Sequence, residues 1–72
     1  MSHARNEGES GTKPLTRREA ASLRAWIGAD TEAAVVRQLG LSRLAVARLA
    51  AALPVHATTR LAVRAALARR AA

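Results

Sequence analysis

The sequence predicts an all-α domain of four helices preceded by an N-terminal tail, and three observations lead to this fold class. Apolar residues recur at three- and four-residue steps through most of the chain after residue 15, and no stretch alternates as a strand would. Glycine, proline and helix-capping side chains separate these stretches at helix-length intervals. Seventy-two residues without cysteine allow one small domain with no disulfide.

The first 14 residues contain almost no apolar side chain, so they cannot repay the entropy of ordering and are predicted to form a disordered tail. A second interpretation stays open, in which Arg5 and Lys13 make this segment a basic arm that follows the backbone of a polyanion such as DNA. Glu7 and Glu9 argue against the arm because their charge is of the wrong sign. The folded domain is predicted to cover residues 15–72.

The first helix is predicted to begin at Thr16, because Thr16 and Glu19 have the spacing of a capping box. One apolar face is formed by Ala20, Leu23, Trp26 and Ile27. Trp26 is the only aromatic residue of the chain, so we favour its burial in the core over exposure as an anchor for a partner. Gly28 is expected to end the helix.

The second helix is predicted to run from a cap at Asp30 or Thr31 to Leu39. Gly40 is expected just past its end, in the left-handed conformation that glycine adopts without strain. Ser42 fits the N-cap of a third helix, because its hydroxyl can accept from a backbone N–H of the next turn. This spacing is typical of a helix-turn-helix, in which the first helix braces the second. An ordinary helical hairpin in a small bundle is the alternative interpretation.

The third helix is predicted over about Ser42–Ala52 and ends before Pro54, because the residue that precedes a proline is displaced from helical geometry. The apolar residues that the helix-turn-helix would bury are Val35, Leu39, Leu41, Val46 and Leu49. The residues on the outer face of the third helix are Arg43, Leu44, Ala47, Arg48 and Ala51. An outer face with arginines at two levels suits a DNA major groove.

The last helix is predicted over residues 57–70, with His56 before it as a capping residue. Its apolar positions are Leu61, Val63, Ala66 and Leu67. Leu61 and Val63 point about 160° apart at ~100° per residue, so they cannot both face one core. Because an apolar side chain left outside favours association, a homodimer is predicted through Leu61, Val63 and Leu67.

Residues 35–63 read VVRQLGLSRLAVARLAAALPVHATTRLAV, a stretch that resembles the DNA-binding headpiece of the lactose-repressor family of bacterial regulators. The run GLSR-x-x-V-x-R at Gly40–Arg48 matches the family's G-V-S-R-x-T-V-S-R, Pro54–Val55 matches its P-V, and Thr59–Arg60 with Val63 matches its T-R-x-x-V. The chain departs from that family by a helix in front of the helix-turn-helix, which is instead a feature of lambda-repressor-like and Cro-like domains. The resemblance therefore implies a minimal lambda-repressor-like domain.

Four positions depart from the family pattern within the helix-turn-helix. Val36 stands where a small alanine is usual, which would separate the two helices slightly. Ala45 and Ala47 replace threonine and serine, and so remove hydroxyls that would contact phosphate. Leu44 stands where several family members read a base with a polar side chain.

The net charge of +7 is distributed unevenly along the chain. All five acidic residues lie in the first 32 positions, and seven arginines follow without any acidic residue. A GC-rich codon bias would explain arginine in place of lysine, but it would not explain the missing carboxylates. Such asymmetry is typical of a surface that binds a polyanion, because neutralising phosphates releases their counterions. The residues predicted to contact bases are Arg43, Leu44, Ala47 and Arg48, and those predicted to contact phosphates are Ser42, Arg37, Arg60 and Arg64.

The sequence contains no Ser/His/Asp grouping, no paired carboxylates in one predicted cleft and no glycine-rich phosphate loop, so no enzymatic activity is predicted. Two histidines without cysteine do not make a metal site, and no cofactor is expected. The chain shows neither a signal peptide nor an apolar run of ~20 residues, which favours a cytoplasmic, nucleoid-associated protein.

The predicted function is sequence-specific regulation of transcription by a small dimeric repressor that binds a palindromic operator in double-stranded DNA, without a small-molecule effector domain. The alternative is a protein-interaction module, antitoxin-like or an adaptor, in which DNA binding is secondary. Membrane-surface binding through the last helix is disfavoured, because its apolar residues are needed for the core.

Overall fold

The computed structural model describes residues 12–71, which form four helices and two short strands. The helices are α1 (Arg17–Asp30), α2 (Glu32–Leu39), α3 (Arg43–Ala50) and α4 (Ala57–Ala71). The strands are β1 (Thr12–Lys13) and β2 (Val55–His56). The predicted mostly helical domain with four helices is confirmed. The part of the predicted tail over residues 1–11 lies outside the described residues.

α1 begins with the predicted capping box. The Glu19 N–H donates to the Thr16 hydroxyl at 3.0 Å, and the Thr16 N–H donates to the Glu19 carboxylate at 2.8 Å. Each side chain satisfies a backbone N–H that the first turn would otherwise leave without a partner. The start of α1 is therefore fixed by residues within one turn of each other.

The prediction that Gly28 ends α1 is wrong, because the helix continues to Asp30. The Trp26 indole N–H donates to the Asp30 carboxylate at 2.9 Å, and this bond spans the turn that contains the glycine. The helix ends instead at Thr31, with φ 94° and ψ 153°, whose N–H donates to the Ile27 carbonyl at 2.8 Å. The same Thr31 is the predicted N-cap of α2, and its hydroxyl accepts from a backbone N–H at 3.2 Å. A single residue thus separates the two helices.

The two strands were not expected from the sequence, since a pairing of two residues is too short to produce an alternating pattern. β1 and β2 are antiparallel, with Thr12 opposite His56 and Lys13 opposite Val55. Residues 12 and 13, which were assigned to the disordered tail, therefore form a strand, and that part of the prediction is wrong. Leu15, two residues after β1, is 2% exposed and packs in the hydrophobic core, which anchors this segment to the domain.

The core lies between α1 and the other three helices. The five fully buried large side chains are Leu23, Val35, Val46, Leu49 and Val63. Trp26 is 4% exposed, as predicted, and the Arg70 guanidinium lies 5.3 Å from the centroid of its ring. Among residues 12–71, no helix has both the length and the apolar character needed to cross a bilayer.

Candidate nucleic-acid interface

The turn between α2 and α3 has the geometry that its glycine and serine predict. Gly40 has φ 69° and ψ 28°, and its N–H donates to the Val36 carbonyl at 3.0 Å. The Ser42 hydroxyl accepts from the Ala45 N–H at 3.1 Å and caps α3. The left-handed glycine reverses the chain, and the cap starts the next helix two residues later.

Apolar side chains fix α2 and α3 against α1. Val35, Val46 and Leu49 are 0% exposed, so both helices turn a fully buried side toward the core. Leu39 and Leu41 are half-buried and pack against the same core on either side of the turn. The opposite side of α3 must therefore face outward.

That outward side, which we call the α3 face, consists of Arg43, Leu44, Ala47 and Arg48. All four residues are exposed, and Leu44 retains 70% of its surface. At ~100° per residue the four side chains lie within an arc of about 140°. The structure thus brings the predicted base-contacting residues together on one accessible surface. Ala51 is also exposed but lies just past the end of the helix.

The two arginines of the α3 face have weak partners. The Arg43 Nε lies 3.6 Å from the Glu32 carboxylate, and these side chains are 73% and 43% exposed. An ion pair so open to water contributes about 0–1 kcal/mol, so a ligand can displace it at little cost. Arg48 donates one N–H to the Pro54 carbonyl at 3.1 Å. Its remaining N–H groups have no partner among the described residues.

A further arginine holds α3 in position from α1. The Arg24 Nη1 donates to the carbonyl of Ala50, the last residue of α3, at 2.7 Å. Carbonyl groups at a helix C-terminus lack partners within the helix and carry partial negative charge, which a guanidinium satisfies. Sequence reasoning missed this contact because the two residues are 26 positions apart and no local pattern marks the pairing.

The four predicted phosphate contacts separate into two groups. Ser42 and Arg37 are exposed, the first at the start of α3 and the second in the last turn of α2. Arg60 is only 9% exposed, and its Nη1 donates to the carbonyls of Lys13 at 3.1 Å and Val55 at 2.9 Å. A guanidinium bonded to two carbonyls inside the fold is not presented to a phosphate. The prediction for Arg60 is therefore corrected to a structural role.

Arg64, the remaining phosphate candidate, is paired with Glu19. Its Nε lies 2.7 Å and its Nη2 3.3 Å from the two oxygens of that carboxylate. The hydrogen bond from Arg64 is the main cause that holds the pKa of Glu19 below its ordinary value of 4.5. Burial opposes it by raising the pKa, and the hydrogen bonds with Thr16 add to the lowering. This pair joins the start of α1 to α4, so a phosphate would have to displace Glu19 to reach the Nε and Nη2 of Arg64. A phosphate contact by Arg64 stays a prediction.

An open groove adjoins the α3 face, and we call it the α3–α4 groove. It is formed mainly by Thr12, Leu44, Ala45, Arg48, Pro54 and Thr59. The groove therefore runs from α3 across the following loop to the first turn of α4, and Thr12 of β1 also lines it.

The three residues predicted at a dimer interface occupy different environments. Leu61 is 61% exposed, Leu67 is half-buried, and Val63 is 0% exposed. The prediction that Leu61 and Val63 cannot share one core is confirmed, and Leu61 is the residue that faces outward. Val63 lies inside the domain, so its assignment to an interface is corrected.

Within the described residues, no group of three or more histidine, cysteine or acidic side chains could hold a metal ion. In comparisons with known proteins, no family model, no curated protein and no solved structure matches this chain.

Proposed function

We propose that this chain is a sequence-specific DNA-binding regulator of transcription, in which α2 and α3 form a helix-turn-helix of the lambda-repressor-like type. The observation that carries the proposal is the α3 face, where two arginines and a leucine are exposed on a helix without acidic residues. An α-helix fits the B-DNA major groove, and a helix that approaches phosphates must not carry carboxylates toward them.

The residue types on the α3 face match the chemistry of base edges. An arginine fork pairs with O6 and N7 of guanine, and an aliphatic side chain contacts the methyl group of thymine. Arg43 and Arg48 would therefore read guanines, with Leu44 on a thymine between them. Ala47 is small enough to let the helix approach closely.

Two exposed groups beside the α3 face would position it on the duplex. Arg37, in the last turn of α2, is exposed and would bind a phosphate, which fixes the position of the domain along the duplex. Ser42 lies at the start of α3, where the backbone N–H groups and the helix dipole favour a phosphate oxygen. These contacts add affinity on every sequence, whereas the α3 face supplies the discrimination.

A single domain of this size reads few base pairs, so we infer that it acts as a homodimer on a palindromic operator. Symmetric dimers place two recognition helices in successive major grooves, ~34–36 Å apart. Occupation of an operator would exclude polymerase, which makes repression the favoured mode. This proposal implies a protein that acts on the bacterial nucleoid.

The test is selection of bound sequences from a pool of random duplex DNA, with wild type, Arg43→Ala and the control Arg18→Ala. Arg18 is an exposed arginine on α1, so it matches the change in charge without altering the α3 face. We expect wild type and Arg18→Ala to enrich the same palindrome, and Arg43→Ala to lose ~1–3 kcal/mol on that site with relaxed specificity at one position. No enrichment by wild type would contradict sequence-specific binding.

A protein-interaction module is the second candidate, and the exposure of Leu44 is the observation that favours it. Leu44 is 70% exposed, so a protein partner that covered it would gain free energy by removing its apolar surface from water. The two functions differ in their dependence on charge. A protein partner would bind with unchanged affinity after Arg43→Ala and lose affinity after Leu44→Ala, whereas both substitutions should weaken binding to the operator.

A further inference from the structure

Two open clefts adjoin at Trp26, toward the C-terminal ends of α1 and α4. The first has a volume of about 460 Å³, lies between these two helices and is formed mainly by Ala25, Trp26, Leu67 and Arg70. The second has a volume of about 350 Å³, lies where α2 meets them and is formed mainly by Trp26, Gln38, Arg69 and Arg70. Because Trp26 and Arg70 line both, we treat them as one site, the Trp26 cleft. Small-molecule sites occupy ~300–1,000 Å³, so either part is large enough for a small ligand.

The apolar part of the Trp26 cleft is built around the only aromatic ring of the chain. Trp26 is 4% exposed, and its indole N–H donates to the Asp30 carboxylate at 2.9 Å, so packing and a hydrogen bond hold the ring in place. The side chains beside the ring are small or aliphatic, namely Ala25, Ala66 and Leu67. These small neighbours leave open space next to the indole, and a flat apolar group fits there because aromatic rings pack well edge to face or offset.

The polar part of the Trp26 cleft carries more positive than negative charge. Arg69 makes no hydrogen bond or ion pair with the residues that the structure describes. Arg70 lies over the Trp26 ring, and its Nη1 is 3.9 Å from the Asp30 carboxylate, which is too long for a hydrogen bond. The same oxygen of Asp30 already accepts from the indole. Two guanidinium groups with free N–H donors therefore line the cleft against a single carboxylate.

We propose that the Trp26 cleft binds a small aromatic carboxylate. Its ring packs beside Trp26, and its carboxylate pairs with Arg69 and Arg70, because a planar guanidinium matches the two oxygens of a carboxylate. The Gln38 amide, which lines the same part of the cleft, donates to the carboxylate as well. The contact of Arg70 with Asp30 is displaced at little cost, since the two side chains are 40% and 37% exposed.

Binding is tested by titrating the protein with benzoate, benzamide and acetate while the fluorescence of Trp26 is measured. Trp26 is the only aromatic residue, so its emission reports on this cleft alone. We expect a saturable change with benzoate in the millimolar range or below. Benzamide keeps the ring without the charge, and acetate keeps the charge without the ring, so each should bind at least about tenfold more weakly. The absence of a saturable change with benzoate would overturn the proposal, and so would equal binding of either analogue.

The contribution of the arginines is tested with Arg69→Gln and the matched control Arg17→Gln. Arg69 is chosen because Arg70 also covers the ring, so its loss would change the fluorescence by itself. Arg17 is an exposed arginine at the start of α1 that does not line the cleft. We expect Arg69→Gln to bind benzoate about tenfold more weakly and Arg17→Gln to bind it like wild type.

Thermal unfolding followed by circular dichroism gives a readout that does not depend on the fluorescence of Trp26. Benzoate that binds the folded domain should raise the Tm of wild type and of Arg17→Gln, and raise that of Arg69→Gln less. An equal rise in all three proteins would show that benzoate does not use Arg69, which contradicts the proposed site.

Inorganic phosphate separates a carboxylate site from a general anion site. If phosphate binds as tightly as benzoate and Arg69→Gln weakens both, the arginines hold any anion, and the assignment to an aromatic carboxylate is overturned. The residues of the α3 face do not line the Trp26 cleft, and none of these measurements includes DNA. A failure to bind benzoate therefore leaves the proposed DNA binding standing, and a failure to bind DNA leaves the cleft standing.

Discussion

Arginine has three different uses in the second half of the chain, and burial and partners distinguish them. Arg60 is buried and bonds to carbonyls of both strands, Arg64 pairs with Glu19, and Arg43 and Arg48 remain exposed on the α3 face. Arg43 and Arg48, like Arg37 in α2, keep the exposure that a base or phosphate contact needs. The net charge of +7 therefore overstates the charge available to a polyanion.

The structural role of Arg60 predicts a loss of stability rather than a loss of DNA contacts. Arg60→Met removes hydrogen bonds to the carbonyls of Lys13 and Val55, and hydrogen bonds from charged groups contribute about 1.5–3 kcal/mol each. Because both bonds come from the same Nη1, we expect the low end of their sum, a decrease of about 3 kcal/mol in the free energy of unfolding measured by urea denaturation. Arg17→Met, at an exposed arginine, should remain within ~0.5 kcal/mol of wild type. Unchanged stability together with a salt slope reduced by about one would restore Arg60 as a phosphate contact.

The ion pair between Glu19 and Arg64 predicts a specific dependence of stability on pH. Because the pKa of Glu19 is lowered on folding, its contribution is complete above about 4.5 and is lost as the pH falls through the lowered pKa. Glu19→Gln keeps the capping box, since glutamine can replace glutamate there, and so isolates the charge. We expect the variant to be ~0.5–1 kcal/mol less stable at neutral pH, the modest value reflecting the partly exposed Arg64, and the two unfolding curves to converge in acid. A difference that stays constant into acid would show that the charge of Glu19 contributes nothing.

At the scale of the helices, local signals and long-range contacts differ in how well the sequence predicts them. The caps at Thr16, Thr31 and Ser42 and the left-handed Gly40 were predictable because each acts within one turn of its own backbone. The contacts that orient the helices relative to one another could not be predicted in this way. Arg24 and Ala50 are 26 positions apart, and Arg60 and Lys13 are 47 apart. The same limit explains why the α3 face was predictable from helical periodicity whereas Arg60 and Val63 were misassigned, since exposure depends on what other helices cover.

The two described glycines with open surroundings test the corrected end of α1. An added Cβ would meet no atom within 4 Å at either Gly28 or Gly40, so the two sites differ only in backbone conformation. Gly28→Ala should stabilise the domain by about 0.5–1 kcal/mol, because it raises the helix propensity within α1. Gly40→Ala should destabilise it by about 1 kcal/mol, because φ 69° is strained for any residue with a Cβ. Thermal unfolding of both variants measures these two changes in stability. If Gly28→Ala were destabilising, α1 would end at Gly28 after all.

At the scale of the whole molecule, the exposed side of α4 determines whether the domain is a monomer or a dimer. Leu61, Ala65 and Ala68 are all exposed at the spacing of one helical stripe, and two such stripes can approach closely because the alanines are small. Since Val63 and most of the other large apolar residues are already buried within one chain, Leu61 is the side chain of α4 that gains most from a partner. Of the three residues predicted at the dimer interface, Leu61 is therefore the one that we expect to contact the partner most extensively.

We expect light scattering to give the mass of a dimer for wild type and of a monomer for Leu61→Glu, with unchanged helical content by circular dichroism. The physical reason is that a carboxylate facing its own symmetry mate across a twofold axis meets a like charge in place of an apolar contact. Leu53→Glu makes the same chemical change at an exposed leucine in the loop after α3, and it should leave the dimer intact. A wild type that is monomeric at tens of micromolar would mean that dimers form only on the operator. In that case Leu61→Glu should still abolish cooperative binding to the palindrome while leaving affinity for a single half-site unchanged.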